Sequence, residues 1–360
     1  MQLSLILHVY KDFAPHRGGG GVARHIDGLA VASVEQGYRV DVAAPSVEIG
    51  PGTAYSASSA SWRGLWRRVR EADVVHVHGS RTPISAYAAL LARLQGRRLV
   101  YTPHCYYDHD ASRIRRLGKR GWDQLVERFL LRSSHATVLL APVWQSLLRE
   151  KGLVAAHPVI LPNCVEDARM HAHDRVPGAL AGRPSLLSVG RLDPVKRLED
   201  AIRVLRHPGL ERAVLHLVGK GPDRSRLESV ARDEGVAERV VFHGFVADEQ
   251  VAAMVAGCDA FLMPSAVEGM PTVLIEMILS GCPVVASDIP GNRAILAEVG
   301  LEGALYPLAD VAAMAARIAA HAQPSLSVEV RERTREAFTW ERMGARIRAL
   351  YGPVTRGGLA

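Results

Sequence analysis

The chain has 360 residues and a formal net charge of +7, with 48% hydrophobic, 22% charged and 6% aromatic residues. That is about two domains' length at ordinary globular composition, which excludes a single small module, a disordered or collagen-like chain and a coiled coil. No apolar run approaches the ~18 residues of a membrane-spanning helix, and the apolar start at 3–9 meets Lys11 and Asp12 too soon for a signal peptide, so a cytoplasmic chain is expected.

Short β-branched runs alternate with longer segments of helical period, the pattern of parallel sheets flanked by helices. In the first half the strands fall at 3–9, 39–44, 73–78, 98–103 and 136–140, with helices at 21–36, 82–95, 121–133 and 143–151. Before the first helix stand Gly18, Gly19, Gly20 and Gly21, where bare backbone amides and a helix N-terminus suit a phosphate. Gly18, Gly20 and Ala23 also match G-x-G-x-x-A with Asp41 downstream, which raises an NAD-linked oxidoreductase as an alternative. The strand ends near Val9, eight residues short of Gly18, whereas that fingerprint needs a tight turn straight off the strand.

His76 and His78 share one face of a strand, and H-x-H could ligate zinc, but no third ligand stands at a convincing spacing. The four cysteines Cys105, Cys164, Cys258 and Cys282 contain no C-x-x-C and read as buried thiols. Up to residue 165 there are 21 Lys and Arg against 12 Asp and Glu, and beyond it 23 against 25, so the first half faces something anionic. Arg113, Arg115, Arg116, Lys119 and Arg120 are its densest patch, read as a surface loop. Nucleic acid fits poorly, because no stacking aromatics interleave with the cations; an anionic membrane surface fits better.

The polar, Pro- and Gly-broken stretch at 163–184 reads as a linker. A second cycle follows, with strands at 185–189, 213–218, 239–243, 259–263 and 283–286 and helices at 197–206, 223–234, 248–256 and 271–280. The fold class is therefore α/β: two tandem doubly wound, Rossmann-like domains, 1–165 and 166–337, with the cleft between them as the default site. A closing helix within 338–352 is expected to return to the first domain.

In "SVGRLDPVKRLED" a strand ends at Gly190 and sets Arg191 and Lys196 at its carboxyl edge, a planar fork and a point charge that together suit a diphosphate. In "PSAVEGMPTVLIEMILSGCPVVASD", Glu268 precedes a helix that Pro271 opens, and Glu276 lies inside it. The carboxylate of Glu268 accepts bonds from hydroxyls, while the amides around Gly269, Met270 and Thr272 face a phosphate. A polyol joined to a diphosphate fits both.

"GRLDPVKRLED", the Glu-x7-Glu stretch followed by "GCPVVASDIPGNRAI", the early "GGVARHIDGLAVASVEQGYRV" and the closing "FTWERMGARIRALY" together resemble glycosyltransferase family 4 over nearly the whole chain. The resemblance implies a GT-B fold and metal-independent, retaining transfer from a nucleotide diphosphate sugar, with no cofactor beyond that co-substrate. It puts the donor diphosphate on Arg191 and Lys196 with Gly20 and Gly21 closing over it, and the donor ribose on Glu276. It also puts hydroxyls of the transferred sugar on Glu268, and His104 beside that sugar. The acceptor is expected to be lipid-linked or an oligosaccharide, as in cell-surface polysaccharide assembly, with the basic patch resting on anionic lipid. A GT-B epimerase or phosphorylase is the other alternative.

Overall fold

The structure is a computed structural model in which residues 4–15, 20–50, 52–106, 112–167, 180–321 and 325–353 are described. The chain forms two compact units, Met1–Val165 together with Trp340–Ala360, and Glu166–Thr339.

The first unit is built on β1 (Leu5–Val9), β2 (Arg39–Ala44), β3 (Ser56–Ser59), β4 (Val74–His78), β5 (Arg98–Thr102), β6 (Ala136–Leu139) and β7 (Pro158–Ile160). They form one sheet in the order β3-β2-β1-β4-β5-β6-β7. All pairs are parallel. The central strands are buried on both faces, which is why they read as unbroken apolar runs rather than alternating ones. The edge strands escape that signal: β3 is "SASS", with almost nothing to bury, and β7 is three residues long.

The second unit carries β8 (Ser185–Val189), β9 (Val214–Val218), β10 (Val240–Gly244), β11 (Ala260–Met263), β12 (Val284–Ser287) and β13 (Leu305–Tyr306). Its sheet runs β10-β9-β8-β11-β12-β13, again parallel throughout. In each sheet the chain winds first to one side of its opening strand and then to the other. The order therefore reverses between β1 and β4 in one unit, and between β8 and β11 in the other. Beyond the carboxyl ends of such strand pairs lies the crevice where doubly wound sheets take their ligands.

Three sequence expectations change. The basic patch is a helix, Arg113–Trp122, not a loop, and it continues through a wide turn at Asp123–Glu127 into the helix Arg128–Ser133. The helix expected at 121 thus begins eight residues earlier, because its first three turns bury nothing and so lack an apolar stripe toward a core. At 271, Pro271 caps rather than opens the helix Thr272–Leu279.

The closing helix Gly344–Tyr351 belongs to the first unit, and contacts on the page explain why. Tyr38 Oη donates to the Gly352 carbonyl at 2.5 Å, and Arg98 donates to the Leu350 carbonyl at 3.1 Å. A Cβ at Gly28, on the helix Gly20–Glu35, would lie 1.9 Å from the Trp340 indole nitrogen, so the glycine is what lets that ring lie against the helix.

Candidate active site

In the second unit a pocket opens at the switch point, lined by Gly190 and Arg191 after β8 and by Met263, Pro264 and Ser265 after β11, with Lys196 at its rim. The loop after β8 cannot move freely. A Cβ at Gly219 would fall 1.8 Å from the Gly190 carbonyl oxygen, and one at Gly221 2.0 Å from that of Leu192, so the G-K-G loop after β9 packs backbone to backbone on it. The Gly190 amide donates to the Val218 carbonyl (2.9 Å) and the Leu192 amide to that of Lys220 (3.0 Å).

Asp193 caps the short turn Pro194–Lys196, accepting from the Val195 amide at 3.2 Å. Arg197 then turns the chain in a left-handed conformation (φ 48°) and pairs with Asp200, leaving Lys196 aimed at the loop after β11. Lys196 Nζ donates to Glu268 Oε1 at 2.6 Å. The Ala266 amide donates to the Val195 carbonyl at 2.8 Å, which fastens the two loops beside that pair. Arg191 contrasts with Lys196: its side chain is 69% exposed and only 3.5 Å from Asp193, a loose contact that leaves the guanidinium fork able to turn to an anion.

Helix Pro290–Val299 supports Glu268 from below. A Cβ at Gly291 would meet the Glu268 carbonyl oxygen at 2.6 Å and that of Gly269 at 2.9 Å, so its first turn lies directly on them. Ser287 Oγ donates to the Ser265 carbonyl (2.6 Å), and Asn292 donates to the Ser287 carbonyl (2.9 Å). After Glu268 and Gly269, Met270 and Pro271 are buried, and Thr272 begins a helix whose first amides have no carbonyl of their own helix to bond. Glu276 stands in the second turn, half-buried and outside the pocket lining.

The structure thus brings Arg191, Lys196 and Glu268 together. Gly20, Gly21 and His104 belong to the first unit. Gly20 has φ +74° and opens the helix Gly20–Glu35, and nothing lies within 4 Å of a Cβ built at either glycine, so this stretch of backbone is unobstructed. Gly18 and Gly19 lie outside the described residues.

His104 follows β5 with φ +63°, and it stands at the end of a chain of buried imidazoles. His8 Nδ1 meets His78 Nε2 at 2.8 Å, and His78 Nδ1 meets His104 Nε2 at 3.2 Å. His76 stacks on His78 (centroids 4.0 Å apart) and is held between Tyr351 Oη at 2.8 Å and Thr102 Oγ1 at 2.7 Å. His25 packs edge-on against His104 (4.9 Å) and against Trp340 (5.4 Å). Burial, followed by the neighbouring imidazoles, holds His76 and His78 well below the usual histidine range. Burial and then His25 do the same for His104, and lower His8 to about 3; burial brings His25 to about 4. All five rings are therefore neutral at pH 7. The third imidazole that sequence spacing withheld from His76 and His78 does exist, since His8 reaches them from β1 and His25 and His104 reach His78. Most of these ring nitrogens are already committed to one another and to hydroxyls.

Two family models match the chain, Glycosyltransferase Family 4 over residues 19–169 and Glycosyl transferases group 1 over residues 171–337. The chain belongs to glycosyltransferase family 4. It is 31% identical over 69% of its length to a 2-deoxystreptamine N-acetyl-D-glucosaminyltransferase from Streptomyces fradiae, and spans 62% of that enzyme. It is 29% identical to a GDP-mannose-dependent alpha-(1-6)-phosphatidylinositol monomannoside mannosyltransferase from Mycobacterium tuberculosis, over 80% of this chain and 82% of the relative. Sucrose-phosphate synthase from Thermosynechococcus elongatus superposes with a TM-score of 0.79 at 20% identity, over 97% of this chain and 98% of that one. The fold is GT-B, and the chain is a glycosyltransferase enzyme.

For this family 4 chain the dinucleotide alternative also fails on geometry. Asp41, the acid it would need, is gripped by Arg68 (Nη2 to Oδ2 at 2.6 Å) and accepts from Ser56 at 3.0 Å. Sequence reasoning missed Gly219, Gly221 and Gly291, whose role is to let backbone approach backbone. The signal for the first two was present in "VGKG" immediately after an apolar strand.

Proposed function

We propose that the protein is a retaining glycosyltransferase that moves a sugar from a UDP- or GDP-sugar to a lipid-linked or oligosaccharide acceptor in cell-surface polysaccharide or lipopolysaccharide assembly. The observation that carries the donor half is the convergence of Arg191, Lys196 and Glu268 at the switch point of the second sheet. Arg191 and Lys196 take the diphosphate. Lysine has three donors and Glu268 occupies one of them, so two remain for phosphate oxygens. As the bond to the anomeric carbon lengthens, negative charge collects on the leaving phosphate, and cations already in place stabilise it without reorganising. That role replaces the metal other transferases use, so transfer proceeds without one.

Glu268 and the amides of Gly269, Met270, Pro271's neighbour Thr272 and the helix behind them face the transferred sugar and its phosphate; Glu276 takes the ribose hydroxyls. Gly20 and Gly21 are the first unit's candidates for a phosphate contact, and His104 its candidate for the sugar. The names of two relatives, one acting from GDP-mannose and one transferring N-acetylglucosamine, support a nucleotide sugar as donor.

The acceptor half is supported by the helix Arg113–Trp122, which buries no residue. Ile114 and Leu117 are 82% and 66% exposed, and Leu125 one turn beyond the helix is 75% exposed, all on one stripe flanked by Arg113, Arg115, Arg116, Lys119 and Arg120. Its base is anchored: Arg81 grips Asp123 through two bonds of 2.8 and 2.6 Å, and Glu127 accepts from the hydroxyls of Tyr101 and Tyr106. No described helix is long and apolar enough to cross a membrane. The arrangement is that of a helix lying in an anionic bilayer surface, at the inner face of the cytoplasmic membrane. The test is product analysis. The protein is incubated with UDP- and GDP-sugars and a lipid-linked acceptor in excess EDTA, and the anomeric configuration is read by NMR. A retained α-linkage formed with EDTA present supports the proposal; an inverted product, or transfer abolished by EDTA and restored by metal, overturns it.

A further inference from the structure

We infer that His8 and His78 are positioning residues that fix the tautomer of His104, so that its Nδ1 carries the proton and is held out as a hydrogen-bond donor. The three rings stand in series, Nδ1 of His8 to Nε2 of His78 and Nδ1 of His78 to Nε2 of His104, at 2.8 and 3.2 Å. A neutral imidazole has one N–H and one lone pair, so each contact needs a donor on one side and an acceptor on the other, and the choice at one end sets all three rings. Only two arrangements satisfy both contacts. In the inward one every ring is protonated on Nε2, and His8 Nε2–H is left in the core with no hydrogen-bond acceptor among the described residues. The neighbouring His76 cannot take that proton, since Tyr351 and Thr102 engage its two nitrogens. In the outward arrangement every ring is protonated on Nδ1 and the core end holds a bare lone pair, the less costly defect, because buried N–H groups without an acceptor are the rarer kind.

At the outer end His104 Nδ1 makes no hydrogen bond among the described residues, and the outward arrangement places an N–H there. The left-handed backbone at His104 (φ +63°) sets its ring against His78, and His25, edge-on at 85°, holds the ring plane. A ring so arranged can donate to a hydroxyl or ring oxygen of a ligand and cannot take a proton from it. His104 would then act as a neutral donor rather than a general base. This catalytic consequence rests on the reading of His104 as the sugar contact; the tautomer is a property of the free protein.

Long-range 1H–15N correlation spectra of the full chain labelled with 15N-histidine report which nitrogen of each ring is protonated, with His104 assigned by the signal lost in His104→Gln. The wild-type protein should show His104 protonated on Nδ1. His78→Phe should release it to the Nε2–H form, and His78→Asn, whose amide nitrogen sits where Nδ1 was, should restore Nδ1–H. An Nε2-protonated His104 in the wild type, which requires no variant to fold, overturns the inference, as does a tautomer unchanged in His78→Phe. In turnover of UDP-glucose or GDP-mannose, whichever the protein consumes, His78→Phe should lower kcat about tenfold or more at unchanged donor KM, and His78→Asn should recover most of it. If the tautomer moves and turnover does not, the tautomer inference stands and the sugar-contact reading of His104 falls.

Discussion

At the scale of single residues, Arg191 and Lys196 are separable by experiment although both are assigned to the diphosphate. Arg191 is exposed and loosely paired, so Arg191→Ala should cut kcat/KM about 10- to 100-fold through the lost phosphate bonds while leaving the unfolding midpoint unchanged. Lys196 is three-quarters buried against Glu268, so Lys196→Ala should lose activity and also lower stability by ~1–3 kcal/mol, because a buried carboxylate is left without its partner. Paired denaturation and rate measurements check both; a destabilised Arg191→Ala with normal turnover would reverse the assignment. The chemistry-bearing residues were legible because strand ends and helix starts are: Arg191, Lys196 and Glu268 each sit just past a strand that announces itself in sequence. The imidazole chain was not legible. His8 and His25 stand inside a strand and a helix, 68 and 51 positions from His76, and only the sheet order β1-β4-β5 brings them together.

At the scale of elements, close approach of backbone and ring decides more than propensity. Gly28→Ala would drive a methyl into the Trp340 indole, and should lower stability by ~1–3 kcal/mol, read by chemical denaturation, although alanine is the better helix former. A Gly28→Ala protein as stable as the wild type would show that the closing segment does not hold the first unit as described. The basic helix was read as a loop because its apolar residues face away from any core, and helical periodicity is ordinarily recognised by the face that is buried. Its exposed stripe makes a prediction for the element. Co-sedimentation with anionic vesicles should fall for Ile114→Glu and Leu117→Glu as well as at high salt, since insertion and charge both contribute, at about 1 kcal/mol per cation near the surface. Binding lost with salt but indifferent to Ile114 and Leu117 would leave a charge patch without an inserted helix.

At the scale of the whole molecule, the five buried neutral imidazoles set a pH dependence of stability. Their pKa values are depressed in the folded state, so the unfolded chain binds more protons as pH falls below about 6.5. Stability is fully present above that pH and is lost as pH falls toward the folded values of about 3 to 4, each ring contributing up to ~1.4 kcal/mol per pH unit. The denaturation midpoint should therefore drop steeply between pH 6.5 and 4.5, and less steeply in His8→Phe. A flat profile would mean that these rings are not buried as neutral groups. The parallel, doubly wound organisation was plain from sequence, since apolar runs and helical periods alternate throughout. The edge strands β3, β7 and β13 were not, because they are short or polar and bury little.

The central claim is that the pocket between β8 and β11 binds the diphosphate of a sugar nucleotide. Thermal unfolding of the wild type and of Arg191→Ala against UDP, GDP, their common sugar conjugates and NAD tests it most directly, since a ligand at 100 times its dissociation constant adds ~2.7 kcal/mol of stability. The account predicts a rise in midpoint with one nucleoside diphosphate and its sugars, none with NAD, and loss of that rise in Arg191→Ala. A rise with NAD, or a nucleotide response that survives in Arg191→Ala, would contradict it.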